Sequence, residues 1–275
     1  MSHRARKRFG QNFLHDTQII NQIVQVINPK PGEHLVEIGP GLGAITFPLL
    51  KATGSLDVIE LDRDLIAPLN ERSKTIGTLR IYNEDALQFK FDTLADTKTL
   101  RVVGNLPYNI STPLLFHLLT YADVISDMYF MLQNEVVDRL AAQPGTRDYG
   151  RLSVMMQYYC AVTKLFMIEP TAFKPIPKVD SALVHLAPYK ELPVSVINPD
   201  TLGRLVKQAF AQRRKTLRNN LRDIMPVSLI EAASIDPGLR AENLSLEDFA
   251  KLADQLEKFE QSSKRSGTSE LLGNL

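Results

Sequence analysis

A single cysteine in 275 residues, Cys160, excludes an intrachain disulfide and fits a reducing compartment, so the expected location is cytoplasmic. Its neighbours Val154-Met155-Met156-Gln157-Tyr158-Tyr159 mark it as a small buried apolar side chain. Long apolar runs are missing as well. None approaches the roughly 20 residues of a membrane span, so no membrane partner is expected. The start, Ser2-His3-Arg4-Ala5-Arg6-Lys7-Arg8, is basic but lacks the apolar stretch of a secretory signal. Net charge is almost absent too, at +1, and its distribution says more than its size. Residues 1–8 carry four positive charges, and residues 200–223 carry seven positive against two negative. The remainder is therefore acidic, a split that suits a polyanionic partner met by one surface.

What is present is the patterning of an α/β protein. Hydrophobic residues make up 44% and charged residues 23%, ordinary for a globular chain, and the length suits one large domain plus a smaller one. Short runs rich in β-branched and aromatic residues recur at Leu35–Ile38, Leu56–Leu61, Leu79–Tyr82, Leu100–Val103 and Met128–Leu132. Most precede helical-looking segments, which predicts a Rossmann-like parallel sheet covered on both faces. Runs at Cys160–Ile168 and Ser181–Leu186, joined by the proline-rich Pro170–Pro177, predict an antiparallel pair at the sheet edge. After Glu191-Leu192-Pro193 the strands stop. Leu202, Leu205, Val206, Ala209 and Phe210 share one helical face, Leu217, Leu221 and Ile224 share the next, and Ser245 opens a third helix. The expected organisation is a catalytic domain over 1–192, an all-helical domain over 195–260, and a disordered tail over 261–275.

Glu37-Ile38-Gly39-Pro40-Gly41-Leu42-Gly43 follows the first of these strands. Glycines at such spacing let the backbone turn tightly and approach a ligand that a Cβ would exclude, with a helix N-terminus aimed at it. The loop alone is ambiguous. Gly39, Gly41 and Ala44 also satisfy the dinucleotide pattern, with Glu60 near the distance of a ribose-binding acid. Glu37 ahead of the loop favours S-adenosyl-L-methionine instead. In that reading Glu60 accepts both ribose hydroxyls, and Asp85, ending the third strand, accepts from the adenine amine. A carboxylate at a strand end can also be a turn or helix cap.

Gly104-Asn105-Leu106-Pro107-Tyr108-Asn109 sits at the end of the fourth apolar run. An aromatic amine such as adenine N6 is a poor nucleophile, because its lone pair is delocalised into the ring. Two acceptors on the amine hydrogens, the Asn105 side-chain oxygen and the Leu106 carbonyl, would draw the nitrogen toward sp³ and aim its lone pair. Tyr108 would stack on the base, and Phe173 is a candidate clamp for its other face. At 100° per residue Arg214, Lys215, Arg218 and Arg222 share about a third of a helix circumference, a surface that would suit phosphates.

Collinear with these motifs are Arg6-Lys7-Arg8-Phe9-Gly10-Gln11-Asn12-Phe13-Leu14, Val58-Ile59-Glu60-Leu61-Asp62 and Asn105-Leu106-Pro107-Tyr108-Asn109-Ile110-Ser111-Thr112-Pro113. Tyr149-Gly150-Arg151-Leu152-Ser153, Lys178-Val179-Asp180-Ser181 and Arg213-Arg214-Lys215-Thr216-Leu217-Arg218 continue the series. From Lys7 to about Leu256 the chain resembles the small-subunit ribosomal RNA adenine dimethyltransferases, the bacterial kasugamycin-sensitivity enzymes. That resemblance implies S-adenosyl-L-methionine bound by Asn12, Leu14, Gly39, Glu60, Asp85 and Asn105. It implies two methyls on each of two adjacent adenines in the 3′-terminal hairpin of 16S rRNA, within the pre-30S small subunit. No metal is implied, and a monomer is expected. A DNA N6-adenine methyltransferase and a ribosome-assembly factor with secondary catalysis are the alternatives. Phe9 to Leu14 would fold over the cofactor and link its binding to RNA.

Overall fold

The computed structural model describes residues 11–95 and 99–272, with backbone only beyond Ser263. The basic arm of residues 1–8, with Phe9 and Gly10, lies outside the described residues. Two compact units form, one from Met1–Asp138 with Cys160–Pro188 and the other from Arg139–Tyr159 with Tyr189–Leu275.

The first unit is built on strands β1 (Phe13–Leu14), β2 (His34–Ile38), β3 (Ser55–Ile59), β4 (Thr78–Tyr82), β5 (Leu100–Asn105), β6 (Ile125–Gln133), β7 (Cys160–Ile168), β8 (Phe173–Lys174) and β9 (Ser181–Pro188). Helices α1 (Thr17–Ile27), α2 (Thr46–Thr53), α3 (Arg63–Ser73) and α4 (Ser111–Leu119) accompany them. The main sheet runs β4-β3-β2-β5-β6-β9-β7. β2 through β6 pair in parallel and β7 and β9 pair antiparallel, as the apolar runs predict, and β9 is antiparallel to β6 as well. Leu35, Val36, Val58, Val102 and Val103 are fully buried, which explains why these strands read as near-continuous apolar runs. Asp57 is the exception within β3. It is buried, yet Arg80 donates to both its oxygens at 2.5 and 2.7 Å, and His34 Nε2 lies 2.7 Å away. A buried charge survives because it is paired.

The chain steps outward from β2 through β3 to β4, then returns to the other side of β2 for β5. That reversal opens a crevice at the strands' carboxyl ends, the usual ligand position in such sheets. Ile38 lies level with Ile59 on one side and Gly104 on the other, and Ile59 with Tyr82, so the four ends meet at one height. At Gly104 a Cβ would lie 2.6 Å from the Ile38 carbonyl oxygen, so only glycine lets β5 run this close.

Two features escape sequence patterning. α1 is capped by Asp16, whose Oδ1 accepts from the Gln18 and Ile19 amides at 2.8 and 3.1 Å, and it buries Ile23 and Ile27. β1 and β8 form a separate antiparallel ladder, Phe13 opposite Lys174 and Leu14 opposite Phe173.

The second unit holds α6 (Arg151–Tyr159), α7 (Pro199–Ala209), α8 (Leu217–Leu221), α9 (Val227–Ala232) and α10 (Leu246–Leu272). α5 (Asn134–Ala141) spans the boundary between the units. The expected boundary near residue 192 therefore shifts, because α6 packs against α7 and α10. Ser245 and Asp248 cap α10 reciprocally, each side chain accepting from the other's amide, at 3.2 and 3.1 Å. Phe249, Leu252, Ala253 and Leu256 are buried on its inner face. The helix continues to Leu272, through most of the tail expected to be disordered.

Candidate active site

The glycine loop leaves β2 with Gly39, Gly41 and Gly43 all at positive φ. Gly39 donates to the Ile59 carbonyl at 2.9 Å, which holds the loop against the end of β3. A Cβ on Gly41 would lie 3.1 Å from the Phe13 ring, so the N-terminal segment packs directly on the loop. One cleft gathers Asn12, Leu14, Glu37, Gly39, Glu60, Asp85, Asn105, Leu106 and Tyr108.

Glu60, 6% exposed, accepts from the Asp62 amide at 2.7 Å and the Gly41 amide at 3.3 Å. Burial raises its pKa from the ordinary value, and the backbone amides work against that rise. Asp85 Oδ1 accepts from the Leu87 amide at 3.0 Å, a turn-forming bond that occupies one oxygen of the carboxylate. Asn105 Nδ2 donates to the Asn12 carbonyl at 2.9 Å. A carbonyl only accepts, so this bond fixes which way the amide points and leaves Oδ1 as the end available to a substrate amine.

Tyr108 is half-buried with its hydroxyl 2.9 Å from Ser181 Oγ, and burial pushes its phenol up, so it stays neutral. Ser111 Oγ donates to the Tyr108 carbonyl at 3.2 Å, and Ile110 donates to that of Pro107 at 3.1 Å. The turn is thus held from within and from β9.

Sequence reasoning missed the state of Glu37. Its carboxyl is 1% exposed, and Oε2 has no hydrogen-bond partner. Burial is the main cause pushing the carboxyl up to about 8; the nearby Thr46 hydroxyl opposes this and the Glu60 charge adds to it. A glutamate inside a glycine motif carries no sequence signal of how deeply it sinks. Leu42 and Leu61, 43% and 48% exposed, also line the cleft, adjoining motif residues but apolar enough to pass for ordinary surface.

Phe173 is not brought to the cleft. It is 1% exposed, paired with Leu14, and packed in a core with Ile168, Ala172 and Leu183. The clamp expected of it is corrected to an anchor of the β1–β8 ladder.

In the second unit Arg214, Lys215, Arg218 and Arg222 are all exposed, but they do not share a helix. α7 ends at Ala209, a turn carries Arg214 and Lys215, and α8 spans only Leu217–Leu221. Asn220 is the cause: its buried amide donates to the Ala209 and Gln212 carbonyls at 2.7 and 3.1 Å, tying off the turn. Arg222 pairs with Asp223 at 3.4 Å, whereas Arg214, Lys215 and Arg218 have no acidic partner among the described residues.

A family model described as ribosomal RNA adenine dimethylase matches residues 2–258. A ribosomal RNA small subunit methyltransferase A of Saccharophagus degradans is 57% identical over 255 residues, covering 92% of this chain and 95% of that one. A protein of the same name from Pseudomonas aeruginosa is 56% identical, with the same coverage. Among solved structures, a dimethyladenosine transferase from Plasmodium falciparum superposes with a TM-score of 0.76 at 26% identity, covering 87% of this chain and 95% of that one.

Proposed function

The chain belongs to the ribosomal RNA adenine dimethylase family, S-adenosyl-L-methionine-dependent enzymes, and on that premise we propose that it dimethylates two adjacent adenines of 16S rRNA. Its highly identical relatives bear the name of small-subunit methyltransferases, which supports a small-subunit ribosomal RNA as the substrate; the target in this reading is its 3′-terminal hairpin within a pre-30S particle. The protein works as a monomer in the cytoplasm. No helix among the described residues is long and apolar enough to cross a membrane.

The cleft's donor set fits the cofactor. Glu37 Oε2, buried and without a partner, suits a cationic ligand; Glu60 suits a diol, and Asp85 an exocyclic amine. Gly39, Asn12 and Leu14 complete the walls, with the glycine loop allowing close approach. When bound, S-adenosyl-L-methionine supplies a methyl group already activated as a sulfonium.

Asn105 and Leu106 then hold the adenine amine. Asn105 Oδ1 accepts one amine hydrogen and the Leu106 carbonyl the other, which concentrates the nitrogen lone pair and orients it. Tyr108 stacks on the base while its hydroxyl stays tied to Ser181. The proton lost after transfer goes to water, so no side chain acts as a general base. Arg214, Lys215, Arg218 and Arg222 contact phosphates as exposed point charges.

The observation that carries this reading is the bond from Asn105 Nδ2 to the Asn12 carbonyl, because it presents an acceptor to the target amine. The test is transfer of tritiated methyl to immature small-subunit particles, with the label mapped by nuclease. Label on two neighbouring 3′-terminal adenines, lost in Asn105→Ala, supports it. Tight particle binding without label would favour the assembly-factor alternative.

A further inference from the structure

A buried carboxyl group with an oxygen left without a hydrogen-bond partner is costly to ionise, and costlier beside a second carboxylate. Glu37 meets both conditions. Its strand neighbours in register are Val58 on β3 and Val103 on β5, which offer it neither donor nor charge. From α2 it faces the hydroxyl of Thr46, which opposes the rise in its pKa but falls short of hydrogen-bond geometry. The charged group acting on it is Glu60, from the end of β3, and that charge has the same sign. Among the described residues no cation answers these two acids, although both line the cleft.

We propose that Glu37 is a neutral acid before the cofactor arrives and gives up its proton as a cationic ligand enters, so that S-adenosyl-L-methionine binding releases one proton to solvent. The inference rests on the cofactor reading above and adds a thermodynamic linkage to it. The carboxyl O–H bond breaks, the proton passes to buffer, and the carboxylate left behind is neutralised by the ligand's charge. Glu60 contributes differently: its oxygens already accept from the Asp62 and Gly41 amides, which favours its charged form. Two neighbouring acids thus sit in unequal surroundings: backbone amides oppose the rise that burial imposes on Glu60, whereas Glu37 lacks that support and is the one that switches. With its carboxyl pushed up to about 8, Glu37 is mostly protonated at pH 7. The sign follows. Cofactor affinity rises with pH while Glu37 is protonated in the free protein, by up to tenfold per pH unit, and that gain ends near pH 8.

Isothermal titration of the full-length protein with S-adenosyl-L-methionine at pH 7, in phosphate and in Tris, tests the idea. These buffers differ in ionisation heat, so the difference in binding enthalpy counts protons. Close to one proton released by the wild type and close to none by Glu37→Gln is the expected result. Binding with equal observed heats in the two buffers would overturn the proposal while leaving the cofactor reading intact, whereas no binding at all would overturn both. Equal release by Glu37→Gln would assign the proton elsewhere and likewise end the proposal. Infrared difference spectra of the wild type give a readout that does not depend on the variant folding. The protonated-carboxyl band must disappear on binding, and its persistence refutes the mechanism.

Discussion

Glu60, Asp85 and Asn105 in the cleft are each held by the backbone, through the amides of Asp62 and Gly41, the amide of Leu87 and the carbonyl of Asn12. Arg214, Lys215 and Arg218 in the second unit stand exposed, with no acidic partner among the described residues. The contrast separates two ways of recognising a ligand. A rigid acceptor set depends on the direction of each bond, so it discriminates one small ligand sharply and tolerates no vacancy. Exposed cations depend on summed charge, so they act additively, at longer range, and weaken with salt.

Substitutions should expose that difference, the largest first. Asn105→Ala removes a directed acceptor and is expected to lower methyl transfer by about 100- to 1000-fold, with particle binding nearly unchanged, measured by single-turnover kinetics. An equal loss of particle affinity would mean the cleft and the basic surface are not separable. Glu37→Gln tests the cleft's electrostatics through stability. Because the folded carboxyl sits at about 8 and the ordinary value is 4.5, its neutral form is fully accommodated below pH 4.5 and ionisation destabilises the fold as pH rises. Between these limits the ligand-free wild type should lose stability relative to Glu37→Gln by up to about 1.4 kcal/mol per pH unit, read from denaturant melts. Parallel pH profiles would contradict this.

Charge reversal at Arg218 and Arg222 probes the other side of the comparison. Particle affinity should fall roughly tenfold at moderate salt, and the salt slope should shrink by about two, with cofactor affinity unchanged. Unaltered affinity would remove these residues from the RNA surface. Tyr108→Phe is expected to have the smallest effect. It keeps the ring and loses only the bond to Ser181, so transfer should drop about fivefold at most.

The parallel sheet was legible because buried strands of Leu35-Val36-Glu37-Ile38 type advertise themselves by composition. Glu60, Asp85 and Asn105 were legible because strand ends in such sheets face the ligand crevice. What stayed hidden lacked a local signal. β1 and β8 have two residues each, too few to show any period, and their pairing joins segments about 160 positions apart. That pairing turns Phe173 into a core residue, although a phenylalanine in a proline-rich loop reads equally well as a clamp. The basic run over 213–222 has good helical spacing, but Asn220 captures carbonyls of the preceding turn and ends the helix geometry there. No period in the sequence marks an asparagine that bonds backward. The α6 segment reads as part of the sheet domain, and only its packing on α7 and α10 assigns it to the helical unit.

The β1–β8 ladder also orders events in time. Asn12 and Leu14 wall the cleft, yet β1, which Asn12 precedes and Leu14 ends, has no ladder partner until Phe173 and Lys174 exist. During synthesis, a nascent chain that has completed β2 through β5 already owns the glycine loop, Glu60 and Asn105 but not the strand that pins its own beginning. The protein therefore becomes a cofactor-binding enzyme only late in its translation. Chains arrested before Lys174 should gain no protease protection from S-adenosyl-L-methionine, and chains arrested after the close of β9 should gain all of it.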